Sequence, residues 1–427
     1  MVRPGSPLRH PLRAKSPANS TYQHVHKESQ MPTAFPKEEY QERLRNVREQ
    51  MAGQGLDLLV STDPAHLNYL SGFDSWSYQN TQALLVPKED LEPVWVGRGV
   101  DKGGAYHTTW LSRDNIVAYA DAFSDAHSLH AMEAVAEEIK RRGWNSGRIG
   151  YEGDTYYFTP RAFFALRDHV PEAEWIDVGL LVNELKTIKS PREIEFMRKA
   201  GRITDHVMQV AIEYLRPGIR ESELAGRILQ AQAEGIESFH GALPSAPPLI
   251  LSGAHVSYPH TPFTDDVITT GSYTALELAG CYMRYNAALC RTVSLGEPSD
   301  SLLRVGDIVK EGLEAAMSAM KPGVTCHDVW AAWQAVLERE GYQKHSRIGY
   351  SLGLNYHPTW RDHTASLRKG EMVQLQEGMC FHIICGMWAG DGTKEGDANY
   401  ELSETVVVKK SGIELLTNVE RKLFIKD

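Results

Sequence analysis

Residues 189–200, which read KSPREIEFMRKA, are the segment that decides the fold. Ser190 followed by Pro191 is a helix start signal, because Ser caps the first turn and Pro suits its first position. Apolar residues at helical spacing continue from Ile194 towards Leu215, and the Arg-Pro-Gly sequence at 216–218 ends the pattern. The segment therefore predicts a long amphipathic helix that opens a second structural unit.

The same arrangement recurs further along the chain. A Lys-Pro-Gly sequence at 321–323 stops a third helix as Arg-Pro-Gly stops the first. The predicted helices after the first lie at about 221–234, 301–320 and 326–341, and the predicted strands at 273–279, 287–295, 379–384 and 403–409. This repetition predicts two related halves, each a helix pair backed by strands, around one curved antiparallel sheet.

The segment before residue 189 has a different organisation. A helical pattern over 37–54 precedes short buried strands, and a second helical pattern covers 127–142. Strands that alternate with helices indicate an α/β unit. We therefore predict an α/β domain over 33–185 and a catalytic domain over 186–427. Residues 1–32 are rich in Pro, Ser, Arg and His without an apolar period, and we predict a disordered extension, either a transit segment or an over-extended start.

The composition of the chain limits the kinds of partner that it can bind. The formal charge is −10 and the pI about 6.0, which argues against nucleic acid or an anionic membrane, because both require a basic face. A small cationic or zwitterionic substrate remains compatible with this charge. Five cysteines without a C-x-x-C pair indicate reduced thiols and a cytoplasmic location. No apolar run approaches the roughly 20 residues that span a bilayer.

Three segments resemble one known superfamily. KSPREIEFMRKA at 189–200, MKPGV at 320–324 and EGM at 377–379 look like the "pita-bread" domain of creatinase, aminopeptidase P and methionine aminopeptidase. The resemblance implies a creatinase-like N-terminal α/β domain and a C-terminal pita-bread α+β domain. It also implies a homodimer in which one subunit's N-terminal domain helps to wall the other's site.

The metal positions of that superfamily are changed in this chain. Peptidase members hold two divalent metals with two Asp, one His and two Glu, and these positions correspond here to Glu277, Ala288, Tyr350, Ile384 and Ser403. Dications need several anionic oxygen or imidazole ligands, which Glu277 alone does not supply. The resemblance thus predicts a metal-independent member that needs no cofactor.

Among metal-free relatives, the chain is most similar to the ectoine hydrolases. The segments at 69–78, 93–99, 349–356 and 378–382 carry this resemblance. These enzymes open a cyclic amidine, a zwitterionic tetrahydropyrimidine carboxylate, to an N-acetyl-diaminobutyrate. The resemblance implies a hydrolase of a non-peptide C–N bond.

Two residues are the candidate catalytic groups. Without a metal, amidine hydrolysis needs a nucleophile and a proton shuttle. Glu277 is predicted to attack the amidine carbon, or to pair with the amidinium and direct a water. His260 stands eight residues after Ser252, the spacing of the superfamily's catalytic or substrate-binding His, and is predicted to be the proton shuttle.

Five further residues are predicted to bind substrate. His382 stands on the strand that carries the lost Glu ligand, and His357 matches a substrate-contacting histidine of relatives. Arg291 could bind a substrate carboxylate through two N–H groups of its guanidinium, or hold a buried acid such as Glu277. Tyr350 could add a hydroxyl, and Trp360 an aromatic face for a delocalised cation.

Several alternatives stay open. Cys290 and Cys281 raise a thiol nucleophile, although a free Cys most often packs as a small hydrophobe. The superfamily also contains guanidino hydrolases such as creatinase, Xaa-Pro peptidases or prolidases, and non-catalytic binding proteins.

Overall fold

The structure is a computed structural model that describes residues 33–124 and 126–427. The predicted disordered extension, residues 1–32, lies outside the described residues. The first half is built on a six-stranded mixed sheet with strand order β4-β3-β2-β1-β5-β6. Its strands are β1 (Leu58–Ser61), β2 (Ala83–Pro87), β3 (Val94–Arg98), β4 (Ile116–Tyr119), β5 (Gly147–Tyr151) and β6 (Ala173–Asp177). Its helices are α1 (Lys37–Gly53), α2 (Pro64–Ser71), α3 (Lys102–Thr108), α4 (Ala131–Arg141), α5 (Pro160–His169) and α6 (Leu181–Lys186).

Both faces of this sheet are covered. Leu59 of β1 packs into a core with α1 and α2, whereas its neighbours Leu58 and Val60 pack into a second core with α4 and α5. Successive side chains of a strand point to opposite faces, so a sheet buried on both sides reads as a continuous apolar run. The predicted α/β class of this half is confirmed.

The second half contains two sheets and two helix pairs. The helices are α7 (Pro191–Tyr214), α8 (Glu221–Glu234), α9 (Asp300–Ala319) and α10 (Cys326–Arg339). One sheet has the order β15-β9-β8-β7, and the other β11-β10-β12-β13-β14. The strands are β7 (Leu249–Ser252), β8 (Tyr273–Tyr282), β9 (Tyr285–Leu295), β10 (Gly349–Leu352), β11 (Arg361–Ser366), β12 (Cys380–Met387), β13 (Tyr400–Lys409), β14 (Gly412–Leu415) and β15 (Phe424–Lys426).

Helix α7 begins where the sequence predicts. The Ser190 hydroxyl accepts a hydrogen bond from the Glu193 amide at 3.2 Å, and the Glu193 carboxylate accepts one from the Ser190 amide at 2.9 Å. This capping box satisfies two amides that would otherwise lack partners. The same carboxylate accepts a bond from the Tyr285 hydroxyl at 2.8 Å and lies 3.6 Å from Arg43 of α1. The start of α7 therefore also ties the two halves of the chain together.

The predicted pair of related halves is present. Helices α7 and α8 share a core with β7, β8 and β9, and α9 and α10 share one with β12 and β13. Gly280 of β8 allows α7 to approach closely, because an added Cβ there would lie 2.5 Å from the Ala200 carbonyl oxygen. No helix in the described ranges is both long and apolar enough to span a bilayer.

The four strands predicted to form one curved sheet are divided between the two sheets, with β8 and β9 in one and β12 and β13 in the other. The sheets meet where β9 lies beside β13. Side-chain hydroxyls, rather than a backbone ladder, join these strands. The Thr405 hydroxyl donates to the Ala288 carbonyl at 2.7 Å and accepts from the Ala288 amide at 3.0 Å, and the Thr292 hydroxyl donates to the Glu401 carbonyl at 3.0 Å. The two sheets therefore meet along a seam of polar side chains, and the candidate site lies on this seam.

Candidate active site

Glu277 lies in the middle of β8, which is an inner strand of its four-stranded sheet. It pairs with Cys290 on β9 and with Leu249 on β7. The side chain is only 6% exposed. Burial, together with the charge of Glu401, raises the pKa of Glu277 from 4.5 to about 8. This carboxyl group therefore carries its proton over much of the neutral pH range.

Glu401 on β13 is the second carboxyl group of the site, and sequence reasoning missed it. It is 1% exposed, and the Cys290 thiol donates a hydrogen bond to its Oε2 at 2.9 Å. Burial raises the pKa of Glu401, while the Cys290 hydrogen bond and the buried Lys344 cation oppose that rise. These supports make Glu401 the partner that ionises first. The available signal was strand alternation, which places Glu401 on the same face as Ser403, two residues on.

Four side chains form a hydrogen-bonded chain beside this pair. The indole Nε1 of Trp360 donates to the Tyr350 hydroxyl at 3.1 Å, and that hydroxyl lies 3.1 Å from Nδ1 of His382. On its other side, Nε2 of His382 lies 2.7 Å from the Ser403 hydroxyl oxygen. The rings of Trp360 and His382 meet edge to face, with centroids 6.3 Å apart. Three predicted substrate-binding residues, Tyr350, Trp360 and His382, are thus brought together.

Burial keeps the hydrogen-bonded side chains of Tyr350 and His382 uncharged. It lowers the pKa of His382 from 6.5 to about 3, so the imidazole is neutral at physiological pH. Burial, followed by the Glu277 charge, raises the pKa of the Tyr350 hydroxyl, which therefore keeps its proton. The hydrogen-bonding groups of Tyr350 and His382 on the Glu277 side of the site are consequently neutral.

Arg291 does not face the site, and its prediction as a substrate-binding residue is wrong. Its guanidinium is fully buried and donates to the Glu420, Cys290, Ser403 and Val419 carbonyl oxygens and to the Glu404 carboxylate at 2.6 Å. All five of its N–H groups are used within the chain. Because Arg291 follows Cys290 on β9, its side chain points away from Glu277. The buried acid that it holds is Glu404.

The structure does not bring His260 and His357 into this group. His260 is exposed, on the loop after β7, and no hydrogen bond or ion pair within the described ranges joins it to Glu277. His357 is also exposed, and its carbonyl accepts a hydrogen bond from Tyr157 of the first half. Its side chain lines a groove of about 310 Å³ together with Trp76 and Leu243. Their predicted roles remain predictions.

The Cys290 environment contradicts the thiol-nucleophile alternative. Burial, then the charges of Glu401 and Glu277, raise the pKa of this thiol well above 9.0. The thiolate is the reactive form of cysteine, and a reactive cysteine needs electropositive surroundings. Cys290 lies between two carboxyl groups and acts as a hydrogen-bond donor.

The residues at the superfamily's metal positions do not fit a divalent ion. Ala288 and Ile384 have no donor atom in their side chains, and the Ser403 hydroxyl is held by His382 and by the Cys290 amide, which donates to it at 2.6 Å. Across the part of the chain that the structure describes, no three His, Cys, Asp or Glu side chains are grouped to hold a metal. The donor set disagrees with the two-metal chemistry of the peptidases.

The fold and the matching family models define the class. Residues 43–188 match the creatinase/prolidase N-terminal domain, and residues 195–410 match metallopeptidase family M24. The chain belongs to this creatinase and M24 peptidase family, and its fold is the predicted creatinase-like domain followed by a pita-bread domain. A prolidase from Thermococcus sibiricus superposes with a TM-score of 0.78, at 22% identity, over 90% of this chain and 99% of that one.

More similar relatives are hydrolases. The ectoine hydrolase of Halomonas elongata is 36% identical over 404 residues, which cover 93% of this chain and all of that protein. A hydrolase/peptidase of Sinorhizobium fredii is 37% identical over 393 residues, which cover 92% of this chain and 99% of that protein. The chain is therefore a hydrolase of this family, as the sequence predicted. The similarity to the ectoine hydrolase supports a non-peptide C–N bond as its target.

Proposed function

We propose that this protein hydrolyses, without a metal, the C–N bond of a small cyclic amidine of the ectoine type. The observation that carries the proposal is the buried carboxyl pair, Glu277 and Glu401, with neutral hydrogen-bonding groups on the Glu277 side, at the position where relatives bind metals. The full-length similarity to the ectoine hydrolase of Halomonas elongata supports this substrate class.

The carboxyl pair suits an amidinium ion. The two buried carboxyl groups titrate as a coupled pair, because the charge of one disfavours ionisation of the other. A bound cation beside Glu277 lowers its pKa and favours its ionised form. The site therefore presents a carboxylate to the amidine carbon only when the cationic substrate is in place.

Glu277 is the proposed nucleophile of the reaction. Its carboxylate bonds to the electrophilic carbon, the ring C–N bond breaks, and the freed nitrogen takes a proton from the shuttle and leaves as an amine. Water then adds to the same carbon, the bond from this carbon to Glu277 breaks, and Glu277 returns as a carboxylate while the carbon becomes an amide. The two protons of the water restore the shuttle and protonate the released amine. If Glu277 instead directs a water, the same products form without an adduct on the protein.

The other predicted residues complete the proposal. Tyr350, His382 and Trp360 are proposed to contact the substrate, and His357 to line its approach. His260 is proposed to shuttle protons, on the strength of its spacing in the sequence. We also propose a homodimer, as the family resemblance implies. A cytoplasmic location is proposed because the five cysteines are unpaired.

The test is turnover of ectoine by chelator-treated protein, followed by detection of the ring-opened N-acetyl product. Glu277→Gln should abolish turnover, and the exposed control Glu420→Gln should not. Mass spectrometry of acid-quenched wild-type protein should find substrate attached to the peptide that contains Glu277. Turnover without an adduct would show that Glu277 directs a water rather than acting as the nucleophile. Full dependence on Mn²⁺ or Zn²⁺, with cleavage of Xaa-Pro dipeptides, would show that the protein is a peptidase and overturn the proposal.

A further inference from the structure

The hydrogen-bonded chain Trp360–Tyr350–His382–Ser403 can carry its protons in two arrangements. A neutral imidazole has one N–H, so His382 donates either from Nδ1 to Tyr350 or from Nε2 to Ser403. In the first arrangement Ser403 donates to Nε2, and in the second Tyr350 donates to Nδ1. The two arrangements differ in where the Tyr350 hydroxyl hydrogen points.

The Ser403 hydroxyl selects between them. It is fully buried and already accepts a hydrogen bond from the Cys290 amide at 2.6 Å. Among the described contacts, its remaining partner is Nε2 of His382 at 2.7 Å. If Nε2 carried the proton, the hydrogen of the fully buried Ser403 hydroxyl would be left without an acceptor. In the other arrangement the hydrogen left over is that of the half-buried Tyr350, where solvent or substrate can accept it. A buried unpaired donor disfavours a state by about fivefold to more than a hundredfold.

The selected tautomer determines what Tyr350 does. With Ser403 donating to Nε2, the imidazole carries its proton on Nδ1 and donates it to the Tyr350 oxygen. That oxygen also accepts from Nε1 of Trp360 at 3.1 Å. Both acceptor positions of the phenol are then filled, and its own hydrogen is free to point towards Glu277, whose charge acts on this hydroxyl.

We propose that Ser403 is a positioning residue, which sets the tautomer of His382 and thereby makes the Tyr350 hydroxyl a hydrogen-bond donor to the substrate nitrogen that gains a lone pair as the amidine carbon becomes tetrahedral. Ser403 stands where metal-binding relatives carry a Glu. The substitution that removes a metal ligand thus also installs the group that orients a donor. The role of the Tyr350 donor in catalysis rests on the proposed function. The position of the proton on His382 is independent of that function.

The first test reads the tautomer directly. Nitrogen-15 spectra of the imidazoles should show His382 protonated on Nδ1, with the resonance assigned by its loss in His382→Gln. Protonation on Nε2 in the wild-type protein would overturn the proposal. This measurement needs no turnover, so it stands even if ectoine is not the substrate.

The second test is a double-mutant cycle on turnover. Tyr350→Phe and Ser403→Ala should each lower kcat by about 10²-fold, the usual effect of removing one donor to a developing charge, with little change in KM. The double variant should be no slower than Tyr350→Phe alone, because Ser403 acts through Tyr350. Ser403→Thr, which keeps the hydroxyl, should restore activity. Losses that multiply in the double variant would show that the two residues act separately.

Discussion

Replacing Glu277 by Gln should stabilise the protein at alkaline pH. A carboxyl group whose folded-state pKa exceeds its unfolded value stabilises the fold below the unfolded pKa, and this contribution is lost as pH rises through the folded pKa. For Glu277 the two values are 4.5 and about 8. The pH window of the effect therefore runs from about 4.5 to about 8.

The magnitude follows from the pKa difference of about 3.5, which is 8 minus 4.5. At about 1.4 kcal/mol for each pKa unit, the full linkage energy is on the order of 5 kcal/mol. Because part of the shift comes from the charge of Glu401, we expect about 3 to 5 kcal/mol above pH 8. Gln carries no charge, so the Glu277→Gln variant should gain this stability relative to wild type.

The assay is urea denaturation of wild type and Glu277→Gln at pH 4.5, 7 and 9. The difference in free energy of unfolding between the two proteins at pH 4.5 gives the cost of burying the amide. The change in this difference from pH 4.5 to pH 9 gives the linkage energy. Glu420→Gln on the surface is the matched control and should show no such change. A wild-type protein that becomes more stable than Glu277→Gln as pH rises would refute the reasoning. It would mean that a cation or metal holds Glu277 ionised.

Three more outcomes are expected. Arg291→Met should cost about 3 to 5 kcal/mol of stability, because buried Glu404 loses its nearer cation and keeps the Thr417 hydroxyl and the more distant Arg421. Adding Glu404→Gln should recover part of that loss. A selective rise in KM in the folded protein would restore a substrate role for Arg291. Cys290→Ser should keep kcat within about tenfold of wild type, since the hydroxyl still donates to Glu401. Complete inactivation would instead support Cys290 as a thiol nucleophile. His260→Ala should lower kcat by about 10²- to 10⁴-fold if the histidine shuttles protons, and an unchanged pH–rate profile would remove it from the site.

Local patterns were enough to predict the longer helices, whereas the helices α2, α3, α5 and α6 of the first half were not predicted. The start of α7 depends on Ser190 and Glu193, which are three residues apart, and its capping box forms as the sequence indicates. The two helix pairs likewise follow from spacing and Pro-Gly stops. Glu277 was found because a family position marks it.

The features that sequence missed depend on distant partners. Glu401 belongs to the site because β13 lies along β9, which brings it to Cys290, 111 residues earlier. Arg291 was placed in the pocket, yet the carbonyl oxygens that hold it belong to Val419 and Glu420, more than 120 residues later. No periodicity within a strand reports which strand of another sheet will face it.

The seam between β9 and β13 also bears on the order in which the protein matures during synthesis. Arg291 of β9 needs acceptors at residues 419 and 420, and β15 at 424–426 pairs in parallel with β9. The first half can fold as soon as it emerges, since its sheet uses residues 58–177 alone. The catalytic half, by contrast, stays open until its last strand has left the ribosome. A nascent chain is therefore expected to acquire its active site only after residues 424–426 have emerged, and to expose an unfinished sheet edge to chaperones until then.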